Sequence, residues 1–359
     1  MLHFGYRLSN IFSFLLGVVF TTIICLVLLP TIKLSGTRDL AVSVLYLHQN
    51  LQKSLQHLES TFSNQSTRDI SPLVNTVGSP TVEKSLKKIR VLCWVLTQPS
   101  NHKKKAAHVK NTWGRRCDKL VFFSSKNDST LPTTVVPGAK EGRAGLWGKT
   151  HGAFQIIYDK YLNEADFFLK ADDDTYVILE NLKYLLQNYS SSEPYYFGCY
   201  FQVWWKRRIR YHSGGAGYVL SQAAVKSLIE EGYKNTTKKC PSAGAGGAED
   251  VNMGECMTAV NATFVDTRDK KGRYRFLSYT PKNHLLPGRT PGWWKSYVKF
   301  YPKWGVDCCS DFAISFHYVA PSDMYVYEYM LYFLRPYGVH SFAGEDVDYN
   351  RTLKIDRVV

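Results

Sequence analysis

The sequence predicts an α/β domain built around a mixed, mainly parallel β-sheet and preceded by an N-terminal transmembrane helix. From residue 87 onward, short apolar runs alternate with helical patterns, as in domains whose strands and helices alternate along a parallel sheet. Residues 8–32 contain no charged side chain. Of the 359 residues, 45% are hydrophobic and 14% are aromatic, which excludes a chain that is disordered throughout.

The uncharged segment 8–32 is long enough to cross a bilayer, because a spanning helix needs roughly 20 apolar residues. A cleaved signal peptide is the alternative, but its apolar region is normally ~7–15 residues long and ends in a small-residue cleavage site, which is not evident here. We expect a cytoplasmic tail at 1–7, a signal anchor at 8–32 and a type II orientation. The flanking charges do not decide the orientation, since Lys33 and Arg38 oppose Arg7.

Residues 33–86 are predicted to be a stem in front of a globular domain at 87–359. Apolar residues from Leu40 to Leu58 approximate a heptad pattern, but the run is shorter than three heptads. After Thr61 the composition shifts to Ser, Asn, Thr and Pro, which is typical of a flexible linker. A short coiled coil and an unstructured stem therefore both stay open.

Sequons and cysteines indicate that the globular part lies in an oxidising secretory lumen. Seven cysteines follow Cys25, and no Cys-x-x-Cys pair among them indicates a zinc site. Most of these thiols should pair, and their odd number leaves one free or joined to a second chain. Six Asn-x-Ser/Thr sequons are spread over the chain, at Asn64, Asn127, Asn188, Asn235, Asn261 and Asn350.

The net charge of +15 would by itself suggest a nucleic-acid-binding protein. A luminal protein does not meet chromosomal DNA, so no nucleic-acid partner is expected. An anionic small substrate, or a solvated surface that faces an anionic membrane, fits the same charge balance.

Strands and helices alternate along the globular part. The first strand is predicted at Ile89–Gln98, where a dense apolar run is bounded by polar residues. The following elements are predicted as a helix at 101–116, a strand at Leu120–Ser125, a helix at 143–162, a strand at Asp166–Ala171, a helix at Leu179–Asn188 and a strand at Tyr195–Phe201.

Three consecutive carboxylates, Asp172–Asp174, follow the third predicted strand. Like charges a few Å apart raise one another's pKa, and a bound cation relieves that cost. Carboxylate oxygens favour Mg²⁺ or Mn²⁺, and ligands gather at the C-terminal ends of strands in α/β sheets. Because alternate strand residues face the same side, Asp172 and Asp174 are expected to share one ion while Asp173 turns aside. An acidic loop, or a helix cap at Asp174, is the alternative.

Two glycine-containing segments have the composition of ligand-binding loops. Lys140–Thr150 combines basic side chains with glycines that allow close approach to a diphosphate, although its spacing is not that of a P-loop. Ser213–Ser221 begins with small residues that let the backbone approach a ligand or another chain. The plain alternatives are a polar helix start and a tight turn.

Two further segments carry a candidate base and a candidate metal ligand. Gly244–Met257 contains Asp250, which could accept a proton from a sugar hydroxyl, although such acidic residues more often lie on the surface. Cys308–Val319 contains His317, a candidate third metal ligand or an ordinary structural histidine. Its adjacent cysteines form a vicinal disulfide or pair elsewhere.

In chain order, these segments resemble glycosyltransferase family 31, and specifically its core 1 β1,3-galactosyltransferases. The resemblance runs from about Ile89 to Gly338 and so covers nearly all of the globular part. As a set, the segments are far more specific than the acidic triplet alone. They are RVLCWVLT, HVKNTWGRRCDK, EGR with its following Lys, FLKADDDTYVILENL, YFG, SGGAGYVLS, ED with its following Gly, CCSDFAISFHYV and YFLRPYG.

The resemblance implies a GT-A fold, which is Rossmann-like, in the luminal catalytic domain of a Golgi-membrane enzyme. It implies an inverting, Mn²⁺-dependent transfer from UDP-galactose to the 3-hydroxyl of O-linked N-acetylgalactosamine (GalNAc) on glycoproteins. A relative with another UDP-sugar or acceptor, as in fringe-like enzymes, is the alternative. A catalytically silent, chaperone-like relative is a second one, but that relative lacks the metal motif.

The same resemblance assigns roles to individual residues. It implies that Asp172, Asp174 and His317 hold the metal, that Asp250 is the catalytic base and that Trp293 contacts the acceptor. The residues implied near the nucleotide are Leu96, Glu141, Gly142, Arg143, Lys149, Asp172 and Tyr318.

The resemblance also implies a set of disulfides and the protein partners of the chain. A homodimer and a dedicated chaperone are the expected protein partners. Cys199 is left over as a candidate for a bridge between chains. The implied disulfides are Cys93–Cys117, Cys240–Cys256 and Cys308–Cys309.

Overall fold

The computed structural model describes residues 89–203, 209–234 and 240–335. The chain divides into two compact units, Met1–Lys84 and Ser85–Val359, and all the described residues belong to the second. Within these ranges, no helix combines the length and the apolar character needed to cross a membrane. The predicted tail, membrane span and stem lie outside the described residues.

The main sheet has seven strands in the order β10-β6-β9-β4-β1-β2-β3, which confirms the mixed, mainly parallel arrangement. β9 alone runs antiparallel to its neighbours, β4 and β6, while the other four pairings are parallel. The strands within the described residues are β1 (Val91–Leu96), β2 (Lys119–Ser124), β3 (Thr133–Val135), β4 (Phe167–Asp172), β5 (Tyr176–Val177), β6 (Tyr195–Gly198), β7 (Tyr200–Val203), β8 (Ile209–His212), β9 (Tyr218–Ser221), β10 (Thr263–Phe264), β11 (Phe276–Leu277) and β12 (Ser315–Phe316).

The predicted strand at Tyr195–Phe201 is wrong in one respect, because the chain breaks it into β6 and β7 at Cys199. β6 stays in the main sheet, whereas β7 pairs with β8 in a separate two-stranded sheet. Gly198 lies at the break, where a Cβ would come within 2.7 Å of the Cβ of His212. Only glycine allows the two chain segments to approach this closely.

The predicted helix at 101–116 is divided into a π-helical turn (His102–Ala106), α1 and a 3₁₀ turn (Trp113–Arg116). Thr112 ends α1, with a non-helical backbone and a hydroxyl that donates to the carbonyl oxygen of His108 at 2.6 Å. The α-helices within the described residues are α1 (Ala107–Asn111), α2 (Leu146–Tyr161), α3 (Leu179–Leu186), α4 (Gln222–Ser227), α5 (Glu249–Ala259), α6 (Pro281–Leu285), α7 (Gly292–Tyr297) and α8 (Pro321–Tyr332).

Apolar side chains bury both faces of the main sheet, which explains why its strands are continuous apolar runs rather than alternating ones. All six residues of β1 are buried, and successive residues enter two different clusters, Cys93 in one and Trp94 in the other. Trp94 packs edge to face against Phe123 and Phe154, with ring centroids 5.8 and 4.8 Å away. Burying each such side chain contributes roughly 1.5–3 kcal/mol, so the sheet positions its ends rigidly.

The structure contains all three implied disulfides: Cys93–Cys117, Cys240–Cys256 and the vicinal pair Cys308–Cys309. The suggestion that Cys199 bridges two chains is wrong. Cys199 is only 1% exposed, so a sulfur of another chain cannot reach it. Its thiol lies 3.5 Å from the hydroxyl of Ser278, and burial raises its pKa to about 12, so it is also unreactive.

Candidate active site

The acidic triplet lies at the carboxyl edge of the main sheet. β4 ends at Asp172, which pairs in register with Leu96, the last residue of β1. The buried side chain of Asp173 accepts hydrogen bonds from Thr97 Oγ1 at 2.8 Å and Asn101 Nδ2 at 2.9 Å. Asp173 therefore turns aside, as the strand alternation predicts.

A short antiparallel pairing brings His317 to the triplet. Phe316 of β12 pairs with Tyr176 of β5, and β5 begins two residues after Asp174. His317 Nε2 then lies 3.1 Å from Asp174 Oδ1 and 3.8 Å from Asp172 Oδ2. One ligand atom from each of these three residues lies within 4.8 Å of the other two, which is close enough to hold one metal ion.

Two lysines pair with the carboxylate oxygens that do not face His317. Lys170 Nζ donates to Asp172 Oδ1 at 2.6 Å, and Lys105 Nζ donates to Asp174 Oδ2 at 2.9 Å. A buried charge needs a partner, and Lys170 is only 2% exposed within β4. The lysines offset part of the negative charge and leave Asp172 Oδ2 and Asp174 Oδ1 as the two oxygens closest to the imidazole.

These contacts keep Asp174 ionised. Burial alone would raise its pKa, but the hydrogen bonds and charges of His317 and Lys105 outweigh burial and hold the pKa well below its usual range. Asp173 behaves differently, because burial raises its pKa to about 6 despite the hydrogen bonds from Asn101 and Thr97. Metal ligands must be deprotonated, so Asp174 is in its binding form at neutral pH.

The glycine turn before β9 packs its backbone against the candidate metal ligand and the candidate base. A Cβ on Gly215 would lie 2.1 Å from Cε1 of His317. A Cβ on Gly214 would lie 2.8 Å from Glu249 Oε2 and 3.3 Å from Asp250 Cβ. These close approaches, and not only the turn itself, require small residues here.

Asp250 lies in the first turn of α5, next to the glycine turn. The backbone N–H of Gly214 donates to Asp250 Oδ2 at 3.0 Å, and the N–H of Val251 donates to Oδ1 at 3.0 Å. Burial raises the pKa of Asp250, and the Gly214 N–H and the charge of Lys170 offset this only in part. A raised pKa suits a general base that must take a proton near neutral pH.

Lys170 joins the acidic edge of the sheet to the helix that carries Asp250. Besides Asp172, its ammonium contacts the carbonyl oxygen of Gly214 at 3.1 Å and lies 3.7 Å from Glu249 Oε2. Glu249 is 7% exposed and also accepts a hydrogen bond from Tyr218 at 2.7 Å. One buried cation therefore connects the candidate metal site with the candidate base.

Three of the residues predicted to lie near the nucleotide converge where β1 ends. Lys149 Nζ donates to the carbonyl oxygen of Thr97 at 2.9 Å and to Glu141 Oε2 at 2.7 Å. Leu96 precedes Thr97 and is 5% exposed, so its side chain belongs largely to the core. Lys149 is itself buried and already paired, so it holds Glu141 and the end of β1 in place rather than presenting a free charge.

Gly142 and Arg143 lie between Glu141 and α2. Gly142 has φ +79°, a left-handed conformation that favours glycine, and the 3₁₀ turn Arg143–Gly145 follows it. The side chain of Arg143 is exposed. It forms no ion pair with another residue of the described ranges, so its charge is available to an anionic ligand.

A row of aromatic rings extends from the candidate metal site. Tyr318 stacks on His317 with centroids 3.8 Å apart and on Tyr279 at 5.5 Å, and Tyr279 lies 6.5 Å from Trp293. Tyr318 and Trp293 are 54% and 53% exposed. Tyr318 also has φ +57°, a strained conformation for a residue other than glycine that costs on the order of 1–3 kcal/mol and is typical of functional sites.

The comparisons with known proteins identify the family of this chain. Residues 86–269 match the Fringe family, described as Fringe-like. Over 259 residues the chain is 43% identical to glycoprotein-N-acetylgalactosamine 3-beta-galactosyltransferase 1 of Xenopus laevis, a match that covers 71% of this chain and 70% of that protein. The chain belongs to the Fringe-like family. Its resemblance to the core 1 β1,3-galactosyltransferases of glycosyltransferase family 31 is confirmed.

More distant similarities extend beyond this relative. The chain is 25% identical over 245 residues to the human Beta-1,3-glucosyltransferase, covering 68% of this chain and 45% of that protein. The crystal structure of the apo-form glycosyltransferase GlyE from Streptococcus pneumoniae TIGR4 shares 9% identity with a TM-score of 0.30, covering 53% of this chain and 47% of that one. That score is too low to establish a common fold.

The Fringe-like match contains only part of the candidate site. It includes Asp172, Asp174 and Asp250 but ends before Trp293 and His317. The third candidate metal ligand and the exposed tryptophan therefore come from the C-terminal third of this Fringe-like chain.

Sequence reasoning missed four residues that contact the site. Lys170 carried a signal, because a lysine within an apolar strand must find a buried partner. Glu249 stands directly before Asp250 in the sequence and has no separate signal of its own. Lys105 and Tyr279 lie far along the chain from the acidic triplet, and nothing in their local sequence marks them.

Proposed function

We propose that this chain transfers galactose from UDP-galactose to the 3-hydroxyl of O-linked GalNAc on glycoproteins, with inversion and with the help of Mn²⁺. One observation carries the proposal. Two carboxylates and an imidazole converge at the glycine turn whose Gly214 N–H donates to Asp250, in a chain 43% identical to a protein named for that transfer.

The donor set fits a divalent cation. Asp172 Oδ2, Asp174 Oδ1 and His317 Nε2 are mutually close, while the second oxygen of each carboxylate is held by a lysine. Two carboxylate oxygens and one imidazole nitrogen suit Mn²⁺, which accepts both ligand types. When bound, the ion supplies Lewis-acid stabilisation of the diphosphate leaving group. We also propose that the domain has a GT-A fold, in which this donor set would hold the metal.

The protein groups around the nucleotide act by charge and by position. Arg143 is exposed and free of ion pairs within the described ranges, so we assign it to stabilising charge on the diphosphate. Lys149 acts indirectly by fixing Glu141, whose carboxylate also accepts hydrogen bonds from Ser125 and which we assign to the nucleoside. Leu96 and Tyr318 flank the metal ligands, in register with Asp172 and stacked on His317.

Asp250 is assigned as the general base. Each of its oxygens accepts one backbone N–H, which fixes the carboxylate and leaves further lone pairs for the acceptor. It takes the proton from the 3-hydroxyl of GalNAc as that oxygen attacks the anomeric carbon opposite the diphosphate. The attack converts an α-linked donor into a β-linked product. Trp293 is exposed at the end of the aromatic row and is assigned to stacking on the GalNAc ring.

The kinetic signature of this base follows from its raised pKa. A base works only when ionised, so the acid limb of kcat/KM should lie at a higher pH than for an ordinary aspartate. We expect Asp250→Asn to lower kcat roughly 10²–10⁴-fold with UDP affinity retained. A pH–rate profile combined with UDP titration tests this, and a variant with wild-type kcat and acid limb would exclude Asp250 as the base.

The location proposed for this activity is the Golgi membrane, with a single type II anchor at 8–32. The three disulfides and three sequon asparagines that are exposed in the described ranges, Asn127, Asn188 and Asn261, support a secretory lumen. The homodimer and the dedicated chaperone stay predictions.

A donor screen tests the proposed function. The purified full chain is incubated with Mn²⁺, a peptide that carries one α-GalNAc, and UDP-galactose, UDP-glucose, UDP-N-acetylglucosamine or UDP-N-acetylgalactosamine in turn. We expect transfer from UDP-galactose, loss of transfer on chelation, and a β1,3-linked product. Preference for UDP-N-acetylglucosamine would favour a fringe-like enzyme, and metal-dependent UDP binding without any transfer would favour a non-catalytic relative.

A further inference from the structure

The C-terminal third of the molecule contains a long basic stretch without acidic residues. No Asp or Glu occurs between Asp269 and Asp307, whereas residues 270–306 contain nine Lys and Arg. The segment includes α6, α7 and Trp293. Charges on a solvated surface are normally of mixed sign, so this stretch is a candidate for binding an anionic partner.

Some of these cations are used internally, and others are not. Arg273 pairs with Asp269 and Asp311 at the base of the segment. In contrast, Lys295, Lys299 and Lys303 are exposed. None of these three lysines forms an ion pair within 89–203, 209–234 or 240–335. The charge of Lys299 is partly offset by Asp266, whose pKa Lys299 helps to lower, but no carboxylate of the described chain closes an ion pair with any of the three.

Aromatic rings contact two of the three unpaired lysines. Lys295 Nζ lies 4.6 Å from the ring centroid of Trp304, and Lys299 Nζ lies 4.6 Å from that of Tyr200. Tyr301, between the second and third lysines in sequence, is 74% exposed. Cation–ring contacts orient the ammonium groups without neutralising them, so the surface combines positive charge with open aromatic area.

This surface begins on the same short helix as the acceptor end of the candidate site. Trp293 and Lys295 lie two residues apart on α7, and the aromatic row links Trp293 to Tyr318 and His317. A polypeptide whose attached sugar contacts Trp293 must leave the site close to α7. Lys295, with the ring of Trp304 beside it and that of Tyr301 packed on Trp304, therefore lies close to where the residues flanking the glycosylated Ser or Thr would pass.

We propose that Lys295, Lys299 and Lys303, with the rings of Tyr301 and Trp304, form an acceptor surface that binds acidic residues flanking the glycosylated position. This proposal rests on the proposed function, because it uses Trp293 as the acceptor contact. Carboxylates of the acceptor pair with the ammonium groups, and neighbouring side chains cover the rings. The chain thereby selects acidic polypeptides among those that carry the same sugar.

Matched acceptors test the preference. Two peptides carry one α-GalNAc-Thr and differ only in having Glu or Gln at the flanking positions, and a third acceptor is GalNAc-α-benzyl, which has no peptide. We expect the full chain to show roughly tenfold higher kcat/KM on the Glu peptide at low salt, falling toward the Gln value as NaCl is raised. Equal values on the two peptides at low salt would overturn the proposal.

Variants assign the preference to the surface. The triple variant Lys295→Gln, Lys299→Gln, Lys303→Gln should lose the Glu-over-Gln ratio. Matched control variants Lys160→Gln and Lys226→Gln, which remove exposed lysines elsewhere, should keep it. A triple variant that retains the full ratio would also overturn the proposal.

Separate measurements distinguish the proposed acceptor surface from the proposed function and from a membrane-binding surface. Transfer to GalNAc-α-benzyl reports the proposed function without any peptide. If no acceptor is used, fluorescence anisotropy of the labelled peptides still measures the Glu-over-Gln preference and its loss in the triple variant. The triple variant is also tested for sedimentation with phosphatidylserine and phosphatidylcholine vesicles. Lysine-dependent binding to phosphatidylserine with no peptide preference would assign the surface to a membrane instead.

Discussion

Two histidines near the carboxyl edge of the main sheet contact an aspartate at the same distance but in different surroundings. His317 Nε2 lies 3.1 Å from Asp174, and His102 Nδ1 lies 3.1 Å from Asp128. His102 Nε2 also lies 2.8 Å from Ser124 Oγ, so this second cluster contains the residue types of a hydrolytic triad. Judged by contact distances alone, this second cluster would be the stronger candidate for a catalytic site.

Free lone pairs and exposure separate the two clusters. Ser124 is fully buried, His102 is 5% exposed, and both ring nitrogens of His102 have partners. Asp128 also accepts hydrogen bonds from the backbone and hydroxyl of Thr130. No substrate reaches this hydroxyl, so the cluster ties the end of β2 to the loops around it. His317 instead faces two partly exposed carboxylates, and Asp172 Oδ2 lies 3.8 Å from the imidazole, outside hydrogen-bond distance.

The largest effect is expected from the carboxylates of the exposed cluster. Asp172→Asn or Asp174→Asn removes one anionic ligand and should lower turnover roughly 10³-fold or more, since Lewis-acid and electrostatic stabilisation are both lost. Initial rates across a Mn²⁺ titration, with thermal unfolding of the same samples, measure this.

The matched control for this pair lies in the buried cluster. Asp128→Asn should leave the Mn²⁺ dependence of the rate unchanged. Full activity in both Asp172→Asn and Asp174→Asn would refute the metal assignment and remove the distinction between the two clusters.

The two histidines themselves give the second largest contrast. His317→Ala should weaken Mn²⁺ binding by about 10–100-fold while thermal stability changes little. His102→Ala should do the reverse, because it removes the imidazole from the buried Ser124 hydroxyl and leaves that hydroxyl only the long contact with the Lys126 N–H, at a cost of roughly 1–3 kcal/mol. Metal titration by calorimetry and denaturant unfolding of both variants separate the effects, and identical profiles for the two would contradict the comparison.

The structure explains why sequence reasoning found one cluster and missed the other. Asp172 and Asp174 stand out as adjacent charges after an apolar strand, and the sheet edge was predictable from strand periodicity. His317 was assigned through the family resemblance, because β5 and β12 are two-residue strands that leave no periodic signal. Ser124 and His102 lie 22 residues apart in ordinary local sequence, so only the packing of β2 against the turn after β1 brings them together.

The boundaries of the predicted strands and helices were also predictable only where the local sequence carries a signal. The strands ending in Leu96, Ser124 and Asp172 were predicted to within two residues, because their largely buried apolar runs have sharp polar limits. The helix predicted at 101–116 was not regular, since Thr112 bonds back to the preceding turn. The break at Gly198 depends on a contact with His212, which no local pattern reports.

A smaller effect is expected from the glycine that packs on the candidate metal ligand His317. Gly215→Ala places a methyl group on the ring of His317 and must displace the ring, since a Cβ at this position would lie 2.1 Å from His317 Cε1. We expect the apparent Mn²⁺ affinity to fall by about tenfold, as for other residues that orient a ligand, with kcat at saturating metal less affected.

Gly244→Ala is the matched control for this variant, because a Cβ there meets nothing within 4 Å. Its Mn²⁺ titration should match that of the wild-type chain. Equal shifts in both variants would mean that the glycine turn does not set the position of His317.

The smallest effect should come from Ser124→Ala, which tests whether the buried cluster takes part in the reaction or only stabilises the fold. The variant removes one hydroxyl from a fully buried position and leaves His102 Nε2 without its partner, so the free energy of unfolding should fall by about 1 kcal/mol. Turnover and Mn²⁺ affinity should stay within twofold of wild type, because no atom of this cluster contacts the candidate metal ligands. If turnover instead fell by orders of magnitude while the unfolding curve stayed the same, the Ser124 hydroxyl would have to take part in the reaction. Burial would then not explain the different roles of His102 and His317.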